Sequence, residues 1–162
     1  MAFKKQLTKE QALQKARHYC GYQERSHAEV KEKLYSFGLR RQEVDETLSR
    51  LIEDDYLNEE RFACQFAGGH FRMKRWGRVK ITYELKQKQV SEYCIRKAMK
   101  EIDEDDYIKT LEKLAADKWA TLATEPNLFI KLRKTSDYLM QKGYESGLVR
   151  AAIEKVRDES KQ

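Results

Sequence analysis

The sequence predicts an all-α fold of three tandem three-helix repeats, each about 50 residues long. Three observations predict it. One proline and seven glycines in 162 residues are too few for the turns of an all-β fold. The abundant Ala, Leu, Glu, Lys, Arg and Gln are the better helix formers. An apolar template also recurs. Leu34, Leu39, Val44, Leu48 and Leu51 become Leu85, Val90, Ile95, Met99 and Ile102 at an offset of 51, and Leu139, Tyr144, Val149, Ile153 and Val156 at 105. Each set is a leucine, an apolar residue five positions on, then an i, i+4, i+7 helical stripe.

The elements follow in order, with repeats bounded at 1–55, 56–104 and 105–162. In repeat one, Ala12, Ala16 and Tyr19 give the buried face of a first helix. The second carries Val30 and Leu34 and stops before Gly38, which suits the left-handed residue that closes a helix. The stripe helix starts near Glu43, an acid at the positive end of the helix dipole. Repeat two opens on Asn58 as N-cap, with Glu59 and Glu60 in the first turn. Phe62, Ala63, Phe66 and Ala67 form its buried face, and Ala63 and Ala67 match Ala12 and Ala16 at the same offset of 51. Gly68 and Gly69 are read as a kink or a place where another helix comes close. Trp76 and Gly77 mark a sharp turn.

The next segment looks like a strand, because Val79, Ile81, Tyr83 and Leu85 alternate with polar residues. The repeat decides for helix. Ile81 and Leu85 align with Val30 and Leu34, an i, i+4 pair, so they are buried and Val79 and Tyr83 stay half exposed. Gln89 takes the place held by Gly38 and Gly143, which demands a different cap or some strain. Ser91 and Glu92 open the stripe helix. Repeat three offers Leu111, Leu114 and Leu122 with Trp119 as core, then Leu139, Gly143, and Glu145 with Ser146 before its stripe. The acidic runs at 52–56 and 101–107 lack the glycine and ligand spacing of a calcium loop and read as helix N-terminal capping.

Charge is segregated. Residues 41–60 hold eight acids and two bases, whereas residues 71–100 hold ten bases and two acids. The net charge of +6 permits nucleic acid as a partner, and the distribution points to it more than the total does. A charged fraction of 37% favours an elongated or repetitive body that keeps many residues outside. Cys20, Cys64 and Cys94 are odd in number and scattered, as buried thiols in a reducing cytoplasm are, and no zinc spacing is present. The first ten residues have no secretory apolar core, and no stretch nears the ~20 apolar residues of a membrane span. No HExxH, phosphate loop or nucleophile–base pair appears, so the expectation is a non-enzyme without metal or cofactor.

Residues 56–63, YLNEERFA, and 76–85, WGRVKITYEL, together resemble the RecX family, regulators of the bacterial recombinase RecA. The likeness runs over about residues 10–157. Tyr56, Asn58, Arg61, Phe62, Trp76 and Gly77 match the motif of the middle repeat, with Ile81, Glu84 and Leu85 behind them. Arg25, Ser26, Glu29, Leu34 and Gly38 resemble the family pattern in the first repeat. Val30 stands where the family usually has leucine, and Gln89 where it has glycine. The resemblance implies a curved body that binds the groove of the RecA–DNA filament, suppresses ATP hydrolysis and strand exchange, and binds single- and double-stranded DNA. It implies a cytoplasmic protein, read here as a monomer, in DNA repair and recombination.

Arg72, Lys74, Arg75, Arg78, Lys80, Lys86 and Lys88 are the candidate contacts to DNA or filament, since clustered Lys and Arg meet phosphates best. Trp76 suits a base-stacking platform or a wedge against Phe62 or Phe66, and its place at a helix joint favours the wedge. The alternative is a general nucleic-acid-binding helical repeat with no recombinase partner.

Overall fold

The computed structural model describes residues 6–161. Part of the expectation for the first ten residues therefore falls outside the described residues. Among these there are nine helices and no strand. They are α1 (Lys9–Tyr22), α2 (His27–Ser36), α3 (Arg41–Glu53), α4 (Glu59–Lys74), α5 (Arg78–Gln87), α6 (Glu92–Met99), α7 (Glu104–Thr121), α8 (Leu128–Lys142) and α9 (Ser146–Ser160).

The helices start where the sequence provides caps. Thr8 caps α1 in a capping box with Gln11, and Ser26 accepts from the Glu29 N–H at 3.1 Å. Asn58 caps α4 through the Arg61 N–H at 2.9 Å, and Ser91 caps α6 through the Cys94 N–H at 3.3 Å. Asp103 caps α7, and Glu104, Asp105 and Asp106 fill its first turn, as the 101–107 run predicts. The run at 52–56 does something else. Ile52 and Glu53 end α3, Asp54 is its C-cap and Asp55 is left-handed. Acids there oppose the helix dipole. Arg50 and Arg17 compensate at 2.9 and 3.3 Å from Asp54.

The repeated template is the core. Every template position is buried except Leu48 and Met99, which are half-buried. Ile81 and Leu85 are fully buried, while Val79 and Tyr83 are 53% and 59% exposed, so the alternation is that of a helix. α1, α2 and α3 pack pairwise, as do α7, α8 and α9. The chain forms two compact units. One holds the residues up to Gln65 with Leu85–Ala98, the other Phe66–Glu84 with the residues from Met99 onward, so α4 and α5 contribute to both. In the first unit, Ala12, Ala16, Val30, Leu34, Leu39, Val44, Leu51 and Leu57 form one apolar cluster. In the second, Tyr107 and Tyr144 stack at 5.1 Å, and Phe71 lies 5.8 Å from Tyr107. Cys20 and Cys94 are buried. At Gly68 the atoms nearest a would-be Cβ belong to Arg72 of the same helix, and at Gly69 nothing lies within 4 Å, so neither glycine marks the closest approach of a second helix.

Gly38 and Gly143 take left-handed φ of 86° and 99°, and Gln89 takes 62° at the equivalent place. A side chain there costs about 1–2 kcal/mol. Gln89→Gly should therefore raise stability by roughly 0.5–1 kcal/mol after the entropy cost of a more flexible unfolded chain. A lower melting temperature would contradict this.

Burial pushes the Cys20 thiol up from 9.0 to about 11. Burial also raises the Tyr107 and Tyr144 hydroxyls, and a hydrogen bond to Glu145 adds to the rise at Tyr107. The folded state therefore holds these protons more tightly than the unfolded chain. The contribution of the thiol to stability is constant below its unfolded value and is lost as pH rises through the folded one. Denaturant midpoints should be flat to pH 9 and drop between 9 and 11, with Cys20→Ser removing the earliest part of the drop.

Candidate nucleic-acid and filament interface

The motif residues are fixed by local structure first. The Arg61 guanidinium pairs with Glu24, and also with Asp55 at 3.1 Å while donating to the Asp55 carbonyl at 3.0 Å. Arg61 thus ties the start of α4 to the α1–α2 loop and to the left-handed turn after α3. Phe62 is buried, and Tyr56 lies under the Arg17 guanidinium at 5.6 Å. Glu59 accepts from the Ser91 N–H at 3.0 Å, holding the start of α6.

Trp76 and Gly77 set the start of α5 in the second unit. Trp76 is half-buried, packs edge-on to Phe66 at 6.4 Å and lies 4.6 Å from the His70 ring. Gly77 then sits against the end of α8. Its N–H donates to the Lys142 carbonyl at 2.8 Å, and the Val79 N–H donates to the Gly143 carbonyl at 2.9 Å. The Arg78 N–H donates to the Tyr107 hydroxyl at 3.0 Å. The N–H groups of Gly77, Arg78 and Val79 at the start of α5 are thereby satisfied by the last carbonyls of α8 and by α7. The positive end of one helix meets the negative end of another. The Tyr144 hydroxyl donates to the Arg75 carbonyl at 2.9 Å, and the Lys142 ammonium donates to the Lys74 carbonyl at 3.1 Å. The backbone at Lys74 and Arg75, where α4 ends, is therefore tied to Lys142 and Tyr144 at the end of α8.

The seven candidate bases separate into two kinds. Arg78 pairs with Glu104 at 2.8 Å and Glu145 at 2.7 Å, and its guanidinium lies 4.0 Å from the Tyr107 centroid. Burial disfavours its charge, but the hydrogen bonds to Glu104 and Glu145 outweigh that and hold its pKa above the ordinary value. Lys88 pairs with Glu29 at 3.1 Å in the first unit. These two are held by the fold. Arg72, Lys74, Arg75 and Lys86 are exposed and Lys80 is half-buried, with no carboxylate within ion-pair distance among the described residues. Lys74 and Lys80 lie over the Trp76 ring at 5.1 and 4.5 Å, which brings their charges together.

The structure adds residues that sequence reading missed. Arg75, Lys109, Thr110 and Lys113 line a hollow of about 180 Å³ in the second unit. The available signal was the i, i+4 spacing of Lys109 and Lys113 on α7. Lys113 also reaches Asp117 at 3.6 Å, an exposed pair that restrains it little. Among the described residues no three His, Cys, Asp or Glu side chains gather as a metal site, and no helix is long and apolar enough to cross a membrane.

Three family models match in succession. The first three-helix domain of RecX matches residues 12–51, the second 58–99 and the third 104–153. The chain is similar to the regulatory protein RecX of Bacillus thuringiensis (strain Al Hakam) and of Bacillus cereus (strain AH187). Each is 26% identical over 141 residues, which is 87% of this chain and 52% of the relative. The chain thus spans about half the length of the curated relatives it matches. Its fold is similar to the crystal structure of RecX from Lactobacillus salivarius, with a TM-score of 0.82, 21% identity and coverage of 92% and 96% of the two chains. A second crystal structure, of a regulatory protein RecX, gives a TM-score of 0.80 at 20% identity over 93% and 71% of the two chains. With three successive domain models covering most of its length, this chain belongs to the RecX family of regulatory proteins.

Proposed function

We propose that the protein binds the RecA–DNA filament and inhibits the recombinase's ATP hydrolysis and strand exchange, without chemistry of its own. The observation that carries the reading is the set of exposed bases in the last turn of α4 and just after it, Arg72, Lys74 and Arg75, beside the Trp76–Gly77 joint and with no carboxylate in ion-pair distance among the described residues, in a chain of the RecX family. Arg72, Lys74, Arg75 and Lys80 take phosphates, with Lys109 and Lys113 beside Arg75. Lys86 adds a further contact from the far turn of α5. Arg78 and Lys88 hold the fold and contribute background field rather than direct contacts. The protein acts as a monomer in the cytoplasm, with repeats at 1–55, 56–104 and 105–162, and serves DNA repair and recombination.

The test is the DNA-dependent ATPase of the matching recombinase. Micromolar protein should suppress it, and undiminished hydrolysis at that concentration removes the reading.

A further inference from the structure

The first unit carries a cavity of about 590 Å³ that plays no part in the reading above. Lys15, Tyr19 and Tyr22 reach it from one face of α1, at i, i+4 and i+7. Lys33 and Phe37 reach it from the last turn of α2 and its cap, and Arg25 from the loop between the two helices. No carboxylate lines it. The Arg25 guanidinium lies 3.8 Å from the Tyr19 centroid, held by its Nε–H donating to the Tyr19 carbonyl at 3.1 Å. Lys33 lies 5.4 Å from Tyr19 and 5.8 Å from Phe37, and Lys15 lies 6.0 Å from Phe37.

Elsewhere in this unit Lys9, Arg17, Arg50, Arg61 and Lys88 each meet a carboxylate. Lys15, Arg25 and Lys33 lie over rings instead, and among the described residues no carboxylate is within ion-pair distance of them. Tyr22 lines the same cavity and is 79% exposed, a large aromatic surface with no ring or cation partner among the described residues.

Flat rings beside unneutralised cations are what a nucleobase with its phosphates requires, because every base has a face to stack and a phosphate beside it. The volume lies within the ~300–1,000 Å³ of small-ligand sites. Three cations spread over two helices and a loop exceed the need of one phosphate and suit two successive ones. We propose that this cradle binds a single-stranded polynucleotide, with one base stacked on Tyr22 beside Tyr19 and Phe37 and the flanking phosphates on Lys15 and Lys33. The site lies outside the Arg72–Lys80 segment and stands without any recombinase.

The test is fluorescence anisotropy of labelled oligo(dT) with the full chain and no recombinase. Tyr22→Ala should weaken binding roughly fivefold or more, and Tyr22→Phe should restore it. Lys15→Gln with Lys33→Gln should lower the magnitude of the logarithmic salt slope by about 1.4, at ~0.7 per single-strand phosphate. Tyr22 is exposed, so far-UV circular dichroism should be unchanged, which separates lost binding from lost folding. Oligo(dT) affinity and salt slope that stay the same in both variants overturn the proposal. Thymidine monophosphate bound as tightly as the strand assigns the cradle to free nucleotides and overturns the strand. Equal displacement by polyglutamate marks charge alone and overturns the stacked base. A protein that fails to inhibit the recombinase ATPase and still shows the Tyr22 effect keeps this site while losing the proposed regulation.

Discussion

Replacing Arg72, Lys74, Arg75 and Lys80 together by glutamine should lower duplex DNA affinity by about two to three orders of magnitude at 0.1 M salt. The logarithmic salt slope should shrink by up to ~3.6, since each phosphate neutralised on a duplex contributes ~0.9. The effect is large because these bases share no carboxylate with the fold, so their charge is open to phosphate. Arg78 stays unchanged in this variant, because Glu104 and Glu145 already neutralise it and its loss would disturb the α5–α8 junction. Far-UV circular dichroism should match the wild type. Binding by electrophoretic mobility or anisotropy over a salt series reads the result. A wild-type slope in the variant would move the DNA contact elsewhere.

Gly143→Ala should be among the most destabilising single changes. Its φ is +99°, and a Cβ would stand 2.2 Å from the Lys80 Cβ and 2.7 Å from the Lys80 nitrogen. Left-handed strain contributes about 1–2 kcal/mol and overpacking a further ~1–3 kcal/mol, so about 3 kcal/mol or more is expected. For a chain of this size that is a drop of roughly 6–12 °C in Tm. Gly77→Ala should act similarly, because its Cβ would lie 2.3 Å from the Gly143 carbonyl oxygen, a backbone atom that cannot step aside. Gly69→Ala is the control. Nothing lies within 4 Å of its would-be Cβ inside α4, so it should be neutral or stabilising by up to ~1 kcal/mol. Equal effects at Gly69 and Gly143 would refute the docking of α5 on α8.

The periodic features were legible in the sequence because one apolar face repeats. The offsets of 51 and 105 placed Leu34, Leu85 and Leu139, all fully buried, and they converted the alternation of Val79 to Leu85 into a helix. The strain at Gln89 was legible because Gly38 and Gly143 mark the same place. What depends on distant partners was not legible. Arg78 belongs in the sequence to a run of bases, and only the fold brings Glu104 and Glu145 to it. The acids at 52–56 lie between two helices, and spacing alone could not say that they end α3 rather than begin α4. Gly77 marked a turn, but its partner is the carbonyl end of a helix more than 60 residues away, which no local pattern announces. The hollow that joins Arg75 to Lys109 and Lys113 was hidden for the same reason.

On the proposed function, the bases from Arg72 to Lys80, at the end of α4 and the start of α5, deliver the protein to the recombinase filament. The most direct measurement is the inhibition midpoint in the DNA-dependent ATPase assay for the wild type and for the variant carrying Arg72→Gln, Lys74→Gln, Arg75→Gln and Lys80→Gln. The wild type should suppress hydrolysis at micromolar concentration, and the variant should need a concentration at least about tenfold higher, on the order of one lost phosphate contact or more. Equal midpoints for the two proteins would contradict it.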